Sequence, residues 1–284
     1  MLRYAYNTNG CANHRLDHAI DLIAAAGYDG VALTLDWHHL DPFADDWEAQ
    51  TVRIGKQLRD AGLGCVIETG ARFLLSPHQK HEPTLINASA TGRRRRVEFL
   101  QRAVDIAALL QAETVSFWAG VRREPVNEEA AFAYLIEGVS QVVSYAAKAQ
   151  VSVSLEPEPG MLIETNGDYD RLCHSLPQHQ CDQLHLALDV GHVWVTGEMN
   201  PADAVMQYAQ QLGTVAIEGM DKGVHIHRPI HEGDMDIPPI LANLQRIGFE
   251  KLVCVELSRE SPRAHEAIPE SIATLRELAL RQAQ

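Results

Sequence analysis

The sequence predicts a (β/α)8 barrel, an α/β protein in which eight parallel strands alternate with eight helices. Short apolar runs alternate with segments of helical periodicity, and such alternation favours a parallel sheet. Eight units in 284 residues suit closure into a barrel. The glycine-rich fingerprint of an open dinucleotide-binding sheet is absent after the first strand. Because no linker or change in composition divides the chain, we expect residues 1–284 to form one domain.

The predicted elements follow one another in strict alternation. The strands are Leu2–Tyr6, Val31–Leu35, Leu63–Ile67, Thr114–Trp118, Val151–Leu155, Leu184–Leu188, Val224–Ile226 and Leu252–Val255. The helices are Leu16–Ala26, Trp47–Ala61, Arg94–Leu110, Glu128–Ala149, Tyr169–Ser175, Pro201–Leu212, Ile237–Ile247 and His265–Arg281. Gly27 and Gly62 follow the first two helices, as is typical of glycine at a helix C-terminus.

One long segment, Thr69–Ala90, separates the third strand from the next helix and is rich in Pro, His and Ser. Loops of this length in compact domains are usually functional. Because the segment follows the carboxyl end of a strand, we predict that it forms a lid over the active site.

Composition argues against several classes of function. The formal net charge of −14 disfavours a nucleic-acid partner, and the one basic run, Arg93–Arg96, is predicted to be a solvated helix face. No run reaches the roughly 18 apolar residues of a membrane span, and the N-terminus lacks the apolar core of a signal peptide. The five cysteines form no CxxC pair, which fits a reducing compartment. We therefore expect a soluble, cytoplasmic protein without nucleic-acid or membrane partners.

Four strand-like runs in the second half of the chain end in residues that can bind a divalent metal. These ends are Glu156, Asp189, His227 and Glu256. In a β/α barrel the side chains at the carboxyl ends of the strands converge on the active site. Three carboxylates and one imidazole suit Mn²⁺, Mg²⁺ or Co²⁺, with Zn²⁺ as an alternative. The pattern predicts a metal-dependent enzyme.

Two further histidines accompany these residues. His192 follows Asp189 within one turn, on a loop that contains glycine. His225 lies two residues before His227, so both imidazoles point to the same side of the predicted strand. We predict that His225 lies in the barrel interior, with His227 nearer the mouth.

Over essentially its whole length the chain resembles the xylose isomerase-like barrels, which include sugar and sugar-phosphate isomerases, 3-epimerases, inosose dehydratases and endonuclease IV. The resemblance rests on L-Glu156-P-E-P-G, L-Asp189-V-G-His192, H-I-His227-R, the segment His231–Leu241 and V-Glu256-L. It implies that Glu156, Asp189, His227 and Glu256 bind the metal, and that His192 and Arg228 contact the substrate. It also implies a homo-oligomer, either a dimer or a tetramer.

Two departures qualify the resemblance. The ends of the third and fourth strands lack the additional histidines that endonuclease IV uses for its three-zinc cluster, so we expect a mononuclear site and not a DNA-repair nuclease. The 3-epimerases carry a substrate-binding glutamate six residues after the first ligand, where this chain has Leu162.

The resemblance implies a sugar, sugar-phosphate or polyol-ketone isomerase or epimerase of carbohydrate metabolism. We expect Mn²⁺ to stabilise an enediolate while Glu156 and Glu256 remove and return a proton. Glu68 and Trp118, at the ends of the third and fourth strands, are predicted to bind the substrate. A dehydratase of a cyclic polyol or keto acid is the main alternative, followed by an endonuclease IV-like nuclease and a non-catalytic sugar-binding barrel. Whether the substrate carries a phosphate stays open; Arg72, Arg122 and Arg228 are the candidate phosphate ligands.

Overall fold

The fold is a closed barrel of eight parallel strands, as the sequence predicts. The computed structural model describes residues 1–281, and the last three residues of the predicted 1–284 range lie outside the described part. The strands are β1 (Arg3–Asn7), β2 (Gly30–Thr34), β3 (Gly64–Glu68), β4 (Val115–Trp118), β5 (Val153–Glu156), β6 (Leu184–Asp189), β7 (Leu212–Ile217), β8 (Gly219–Asp221), β9 (Val224–Arg228) and β10 (Leu252–Val255). The barrel order is β1-β2-β3-β4-β5-β6-β7-β10, and β8 and β9 form a separate two-stranded sheet.

The helices surround the barrel and begin and end close to the predicted residues. They are α1 (Leu16–Ala26), α2 (Trp47–Asp60), α3 (Ala90–Leu110), α4 (Glu128–Ala149), α5 (Asn166–Ser175), α6 (Gln178–Cys181), α7 (Val190–Thr196), α8 (Pro201–Gln207), α9 (Ile237–Arg246) and α10 (Ala264–Arg281). Gly27 ends α1 with a left-handed φ of 85°. Ser89 begins α3 because its side chain accepts a hydrogen bond from the backbone N–H of Gly92.

Alternation along the strands places polar side chains above a small plug of apolar residues inside the barrel. Ala5, Ala32, Val66, Leu252 and Cys254 form one buried cluster, separate from the larger core between strands and helices. Residues two positions further along a strand point to the same side. Glu68 therefore lies above Val66, and Glu256 lies above Cys254. This period of two directs the strand-end carboxylates into the mouth of the barrel.

The prediction of the seventh strand is wrong. Val224–Ile226 belongs to the antiparallel hairpin formed by β8 and β9, whereas the barrel strand is Leu212–Ile217. The predicted helix Pro201–Leu212 accordingly ends at Gln207. The physical reason is that a barrel strand is buried on both of its faces, whereas a hairpin at the barrel mouth is not. A parallel barrel strand is covered on both faces, which the run L-G-T-V-A-I allows, while the alternating V-H-I-H suits a hairpin with one exposed face.

The predicted strict alternation of strands and helices is interrupted as well. Two helices, α5 and α6, follow β5, and two more, α7 and α8, follow β6. The first of the second pair begins directly at Asp189, whose side chain caps it. The segment after the sixth strand is therefore helical where the sequence suggests a loop.

Part of the predicted solvated face of α3 is buried. Arg94 and Arg95 are exposed, but Arg96 is fully buried. Its guanidinium donates a hydrogen bond to the backbone oxygen of Thr69 over 2.9 Å and lies 4.3 Å from the ring centre of Trp118. Arg96 thus connects the first residue of the long loop to a residue at the end of β4, through a cation–π contact.

Among residues 1–281, no helix is both long and apolar enough to cross a membrane.

Candidate active site

A cavity of about 410 Å³ opens at the carboxyl ends of the barrel strands. Six of the residues predicted to bind metal or substrate line it: Glu68, Trp118, Glu156, His192, His227 and Glu256. Trp118 and Glu156 are direct partners in the parallel register, and Glu68 pairs with Ser116, two residues before Trp118. The predicted lid contributes Thr69, Gly70, Arg72, Lys80 and His81 to the wall. The carboxyl end of the barrel is therefore the candidate active site.

Asp189 lies directly behind this wall, at the junction of β6 and α7. Its side chain is fully buried. One oxygen, Oδ1, accepts a hydrogen bond from the backbone N–H of His192 over 2.9 Å. The other, Oδ2, has no hydrogen-bond partner among residues 1–281. A buried carboxylate oxygen without a donor is costly, and a bound cation is one way to satisfy it.

Glu156 and Glu256 reach the cavity from β5 and from the position after β10. Glu156 lies 3.6 Å from the ring nitrogen Nδ1 of His192. Glu256 is held by Asn9, whose side-chain amide donates a hydrogen bond over 2.8 Å. Burial, followed by the charge of Glu256, raises the pKa of Glu156 well above its ordinary value. The two carboxylates face the same cavity from strands that β6 and β7 separate.

His227 reaches the cavity from the hairpin rather than from a barrel strand. Its Nδ1 lies 3.8 Å from a carboxylate oxygen of Glu218. His225, predicted to lie in the barrel interior, is exposed on the same hairpin. That prediction is wrong because the hairpin extends beyond the barrel mouth, so its histidines approach the cavity from the rim.

Glu218 is the residue that sequence reasoning missed. It directly follows β7 and is completely buried, and within the described part of the chain neither of its carboxylate oxygens has a hydrogen-bond partner. Burial, followed by the charge of Asp189, raises its pKa well above the ordinary value. The signal was present in the run T-V-A-I-Glu218, which is apolar and ends in a carboxylate as the runs before Glu156, Asp189 and Glu256 do.

Gly191 makes room for this carboxylate. A Cβ atom at position 191 would lie 1.9 Å from an oxygen of Glu218 and 2.5 Å from the terminal carbon of Met220. We expect Gly191→Ala to displace Glu218, to lower the free energy of unfolding by about 1–3 kcal/mol and to weaken divalent-metal binding. Urea unfolding and metal titration measure the two effects. Gly167→Ala is the control, because its Cβ would meet nothing closer than 3.6 Å. Wild-type metal affinity in Gly191→Ala would contradict a role for Glu218.

The carboxylates crowd one another in a way that favours a bound cation. Burial, then the charge of Glu256, raises the pKa of Glu68 to about 8. The same two causes raise the pKa of Glu158, which also lines the cavity, to about 7. A divalent ion would stabilise the ionised forms of all these groups. In the part of the chain that the structure describes, three overlapping groups have ligand atoms within 4.8 Å of one another: Glu156–Asp189–His192, Asp189–Glu218–His227 and His192–His225–His227.

The predicted substrate-binding residues differ in their placement. Trp118 is held on one side by Arg96 and contacts the ring of His81, with 5.2 Å between centroids. Arg228 does not line the cavity; its guanidinium forms ion pairs with Asp221 at 2.8 Å and Glu232 at 3.8 Å. Of the candidate phosphate ligands, Arg72 alone lines the cavity.

Comparisons with known proteins agree with this architecture. Three solved structures superpose over nearly the whole chain. The 3-keto-D-glucoside 4-epimerase YcjR from E. coli does so with a TM-score of 0.77 and 15% identity, covering 98% of this chain and 100% of its own. The probable 3-DHS dehydratase AsbF from Bacillus anthracis has a TM-score of 0.75 and 14% identity (97% of this chain and 99% of its own), and the IOLI protein with a bound zinc atom has a TM-score of 0.75 and 16% identity (99% of each chain). At such identities the likeness concerns the fold. Comparison with curated proteins gives no significant match. The family model of the xylose isomerase-like TIM barrel matches residues 20–278, and the chain belongs to that family.

Proposed function

We propose that this protein is a divalent-metal-dependent isomerase or epimerase of a polyhydroxylated ketone, such as a sugar, a sugar phosphate or a related polyol ketone. One observation carries the proposal. Asp189 and Glu218 present three buried carboxylate oxygens beside the cavity that Glu156 and Glu256 line, and these oxygens have no hydrogen-bond partner among the described residues 1–281. These oxygens fit a hard divalent ion, of which Mn²⁺ is our choice, with Mg²⁺, Co²⁺ and Zn²⁺ as alternatives.

The proposed ligands are Glu156, Asp189 and Glu256, together with a group from the pair Glu218 and His227. The sequence analysis predicted His227 as this fourth ligand. When bound, the ion would act as a Lewis acid toward the carbonyl oxygen of the substrate and favour ionisation of the adjacent C–H bond. The zinc atom bound by the IOLI protein, which shares this fold, supports the proposal of a divalent ion.

Glu156 and Glu256 are the proposed proton carriers. The loop after β3 forms part of the wall of their cavity, so we expect it to shield proton transfer there from bulk water. One carboxylate removes the proton next to the carbonyl, and the other returns a proton. Return to the opposite face of the same carbon gives an epimer, and return to the neighbouring carbon gives an aldose–ketose isomer. Asn9 holds Glu256 in place for this step. The hydroxyl groups and the carbon skeleton of the substrate are proposed to contact Glu68, Trp118 and His192. Arg228 is proposed to hold the hairpin in shape through its ion pair with Asp221.

Solvent exchange tests the reaction class. We expect the Mn²⁺-loaded protein, incubated in D₂O with a panel of ketoses, ketose 6-phosphates and inososes, to place deuterium on a carbon next to the carbonyl of a recovered compound. Nuclear magnetic resonance and mass spectrometry detect the exchange. A product lighter by one water would instead identify a dehydratase, the reaction named for the AsbF neighbour. Absence of both exchange and dehydration across the panel would contradict the proposal and favour a non-catalytic sugar-binding barrel.

A further inference from the structure

We propose that the substrate carries an oxyanion, either a phosphate or a carboxylate, that binds at the mouth of the cavity between Arg72, Lys80 and Arg259. All three side chains belong to the cavity wall. The sequence analysis named Arg72 among the candidate phosphate ligands, but neither of the other two. The proposal rests on the proposed function, because it specifies the class of substrate that the same cavity takes.

Two loops bring these cations to one side of the cavity. Arg72 and Lys80 lie in the segment after β3, and Arg259 lies in the segment after β10. In the barrel, β1 and β2 stand between β3 and β10. Arg72 spans part of this interval, since its guanidinium donates a hydrogen bond over 2.8 Å to the backbone oxygen of Asn9, just after β1. Burial is the main cause of the lowered pKa of His225, and the charges of Arg259 and Lys80 add to it, so both cations lie within electrostatic reach of the same ring.

The charges of these three residues are not neutralised within the described chain. Among residues 1–281, no carboxylate oxygen lies within 4.0 Å of a charged nitrogen of Arg72, Lys80 or Arg259. The other two arginines that the sequence suggested as phosphate ligands, Arg122 and Arg228, each form an ion pair with a carboxylate, at 3.5 Å and 2.8 Å. In a chain with a formal net charge of −14, three such cations around one cavity indicate an anion from outside the protein.

The cavity has opposite charges at its inner end and at its mouth. The carboxylate of Glu156 stands at the end of a barrel strand and its side chain is only 13% exposed, whereas Lys80 and Arg259 are exposed. A substrate with a carbonyl at one end and an anion at the other would therefore bind in one orientation, with its anion toward the cations. A neutral sugar would gain nothing from this arrangement.

The types of side chain also suit a phosphate or a carboxylate. The planar guanidinium of arginine can donate two parallel hydrogen bonds to two oxygens of either group. Lysine adds a compact charge on a flexible stem. Arg72 is held by Asn9 and provides a fixed donor, while the exposed Lys80 and Arg259 can close on the anion from two loops.

Anion binding tests the proposal without turnover. The Mn²⁺-loaded full-length protein is titrated with inorganic phosphate and with acetate by isothermal titration calorimetry. We expect one site per chain for at least one of the two probes. Its dissociation constant should rise about tenfold in Lys80→Gln and in Arg259→Gln, because each variant removes one charge-assisted hydrogen bond. Arg122→Gln is the matched control, because Arg122 lies in the loop after β4 and has its own ion pair.

Phosphate that bound only the metal ion would keep its affinity in the double variant of Lys80→Gln and Arg259→Gln. Such an unchanged affinity, or the absence of binding by both probes, would overturn the proposal. Both side chains are exposed, so their replacement should leave the fold intact, and thermal unfolding checks this point.

A matched series of ketones distinguishes phosphate from carboxylate. In the D₂O experiment, each ketose of the panel is compared with its 6-phosphate and with the acid in which a carboxylate replaces the terminal hydroxymethyl group. We expect a higher kcat/KM for exchange with one of the two anionic members, and we expect the double variant to lose this advantage. Exchange confined to neutral ketoses would overturn this proposal and leave the proposed function intact. Anion binding that depends on Lys80 and Arg259, without any exchange or dehydration, would contradict the proposed reaction alone.

Discussion

Glu156→Gln and Glu256→Gln are each expected to lower kcat by a factor of about 100 to 10,000, the usual contribution of a positioned general acid or base. Glutamine keeps the size of the side chain but cannot accept a proton at neutral pH. The two carboxylates are also proposed metal ligands, so bound Mn²⁺ must be measured in each variant. A loss of kcat at full metal occupancy would identify the proton-transfer role specifically.

The deuterium experiment separates the two carboxylates further. If the two carboxylates act on opposite faces of the same carbon, each single variant should keep solvent exchange with one epimer and lose it with the other. Exchange with both epimers should disappear only in the double variant. Glu48→Gln, an exposed substitution on α2, is the control for expression and handling. Turnover at the wild-type rate in both Glu156→Gln and Glu256→Gln would exclude them as proton carriers.

Asp189→Asn is expected to weaken Mn²⁺ binding more than about 100-fold, since it removes a charged ligand at a buried point of the site. Asparagine is chosen over alanine because Asp189 also caps α7 through its hydrogen bond from the N–H of His192. Aspartate and asparagine are about equally good N-caps, whereas alanine would cost about 1 kcal/mol. The expected result is therefore a loss of metal with little loss of fold.

Isothermal titration with Mn²⁺ measures the affinity, and thermal unfolding of the metal-free protein checks the cap. Asp203→Asn on α8 provides a matched control, because Asp203 is exposed and distant from the cavity residues. If Asp189→Asn bound Mn²⁺ as tightly as the wild type does, the buried oxygen of Asp189 would not be a ligand, and the proposed ligand set would be wrong.

Local sequence was sufficient for most of the barrel. The helices Leu16–Ala26 and Glu128–Ala149 and the strand Leu252–Val255 have the predicted bounds. Each is a long periodic segment or a short apolar run whose ends carry glycine, a capping side chain or a charged residue. Such signals act within a few residues, so they can be recognised without knowledge of the rest of the molecule.

The seventh strand shows where local reasoning fails. The segments Leu212–Ile217 and Val224–Arg228 both have strand character, and periodicity alone does not decide which one closes the barrel. The choice depends on pairing with β6 and β10, which are distant in sequence. Selecting the hairpin led to His227 as the predicted ligand, left Glu218 out of consideration and placed His225 in the interior instead of at the rim.

The sequence by itself determined that Glu156, Asp189 and Glu256 stand at the carboxyl ends of buried strands, because each follows its own apolar run and a period of two decides which way it points. Only the tertiary structure decided which neighbours these residues meet. The burial of Glu218 and Arg96, and the approach of three imidazoles from α7 and the hairpin, depend on contacts between segments far apart in the chain. Contacts of this kind are set by barrel closure and packing, which no local pattern records.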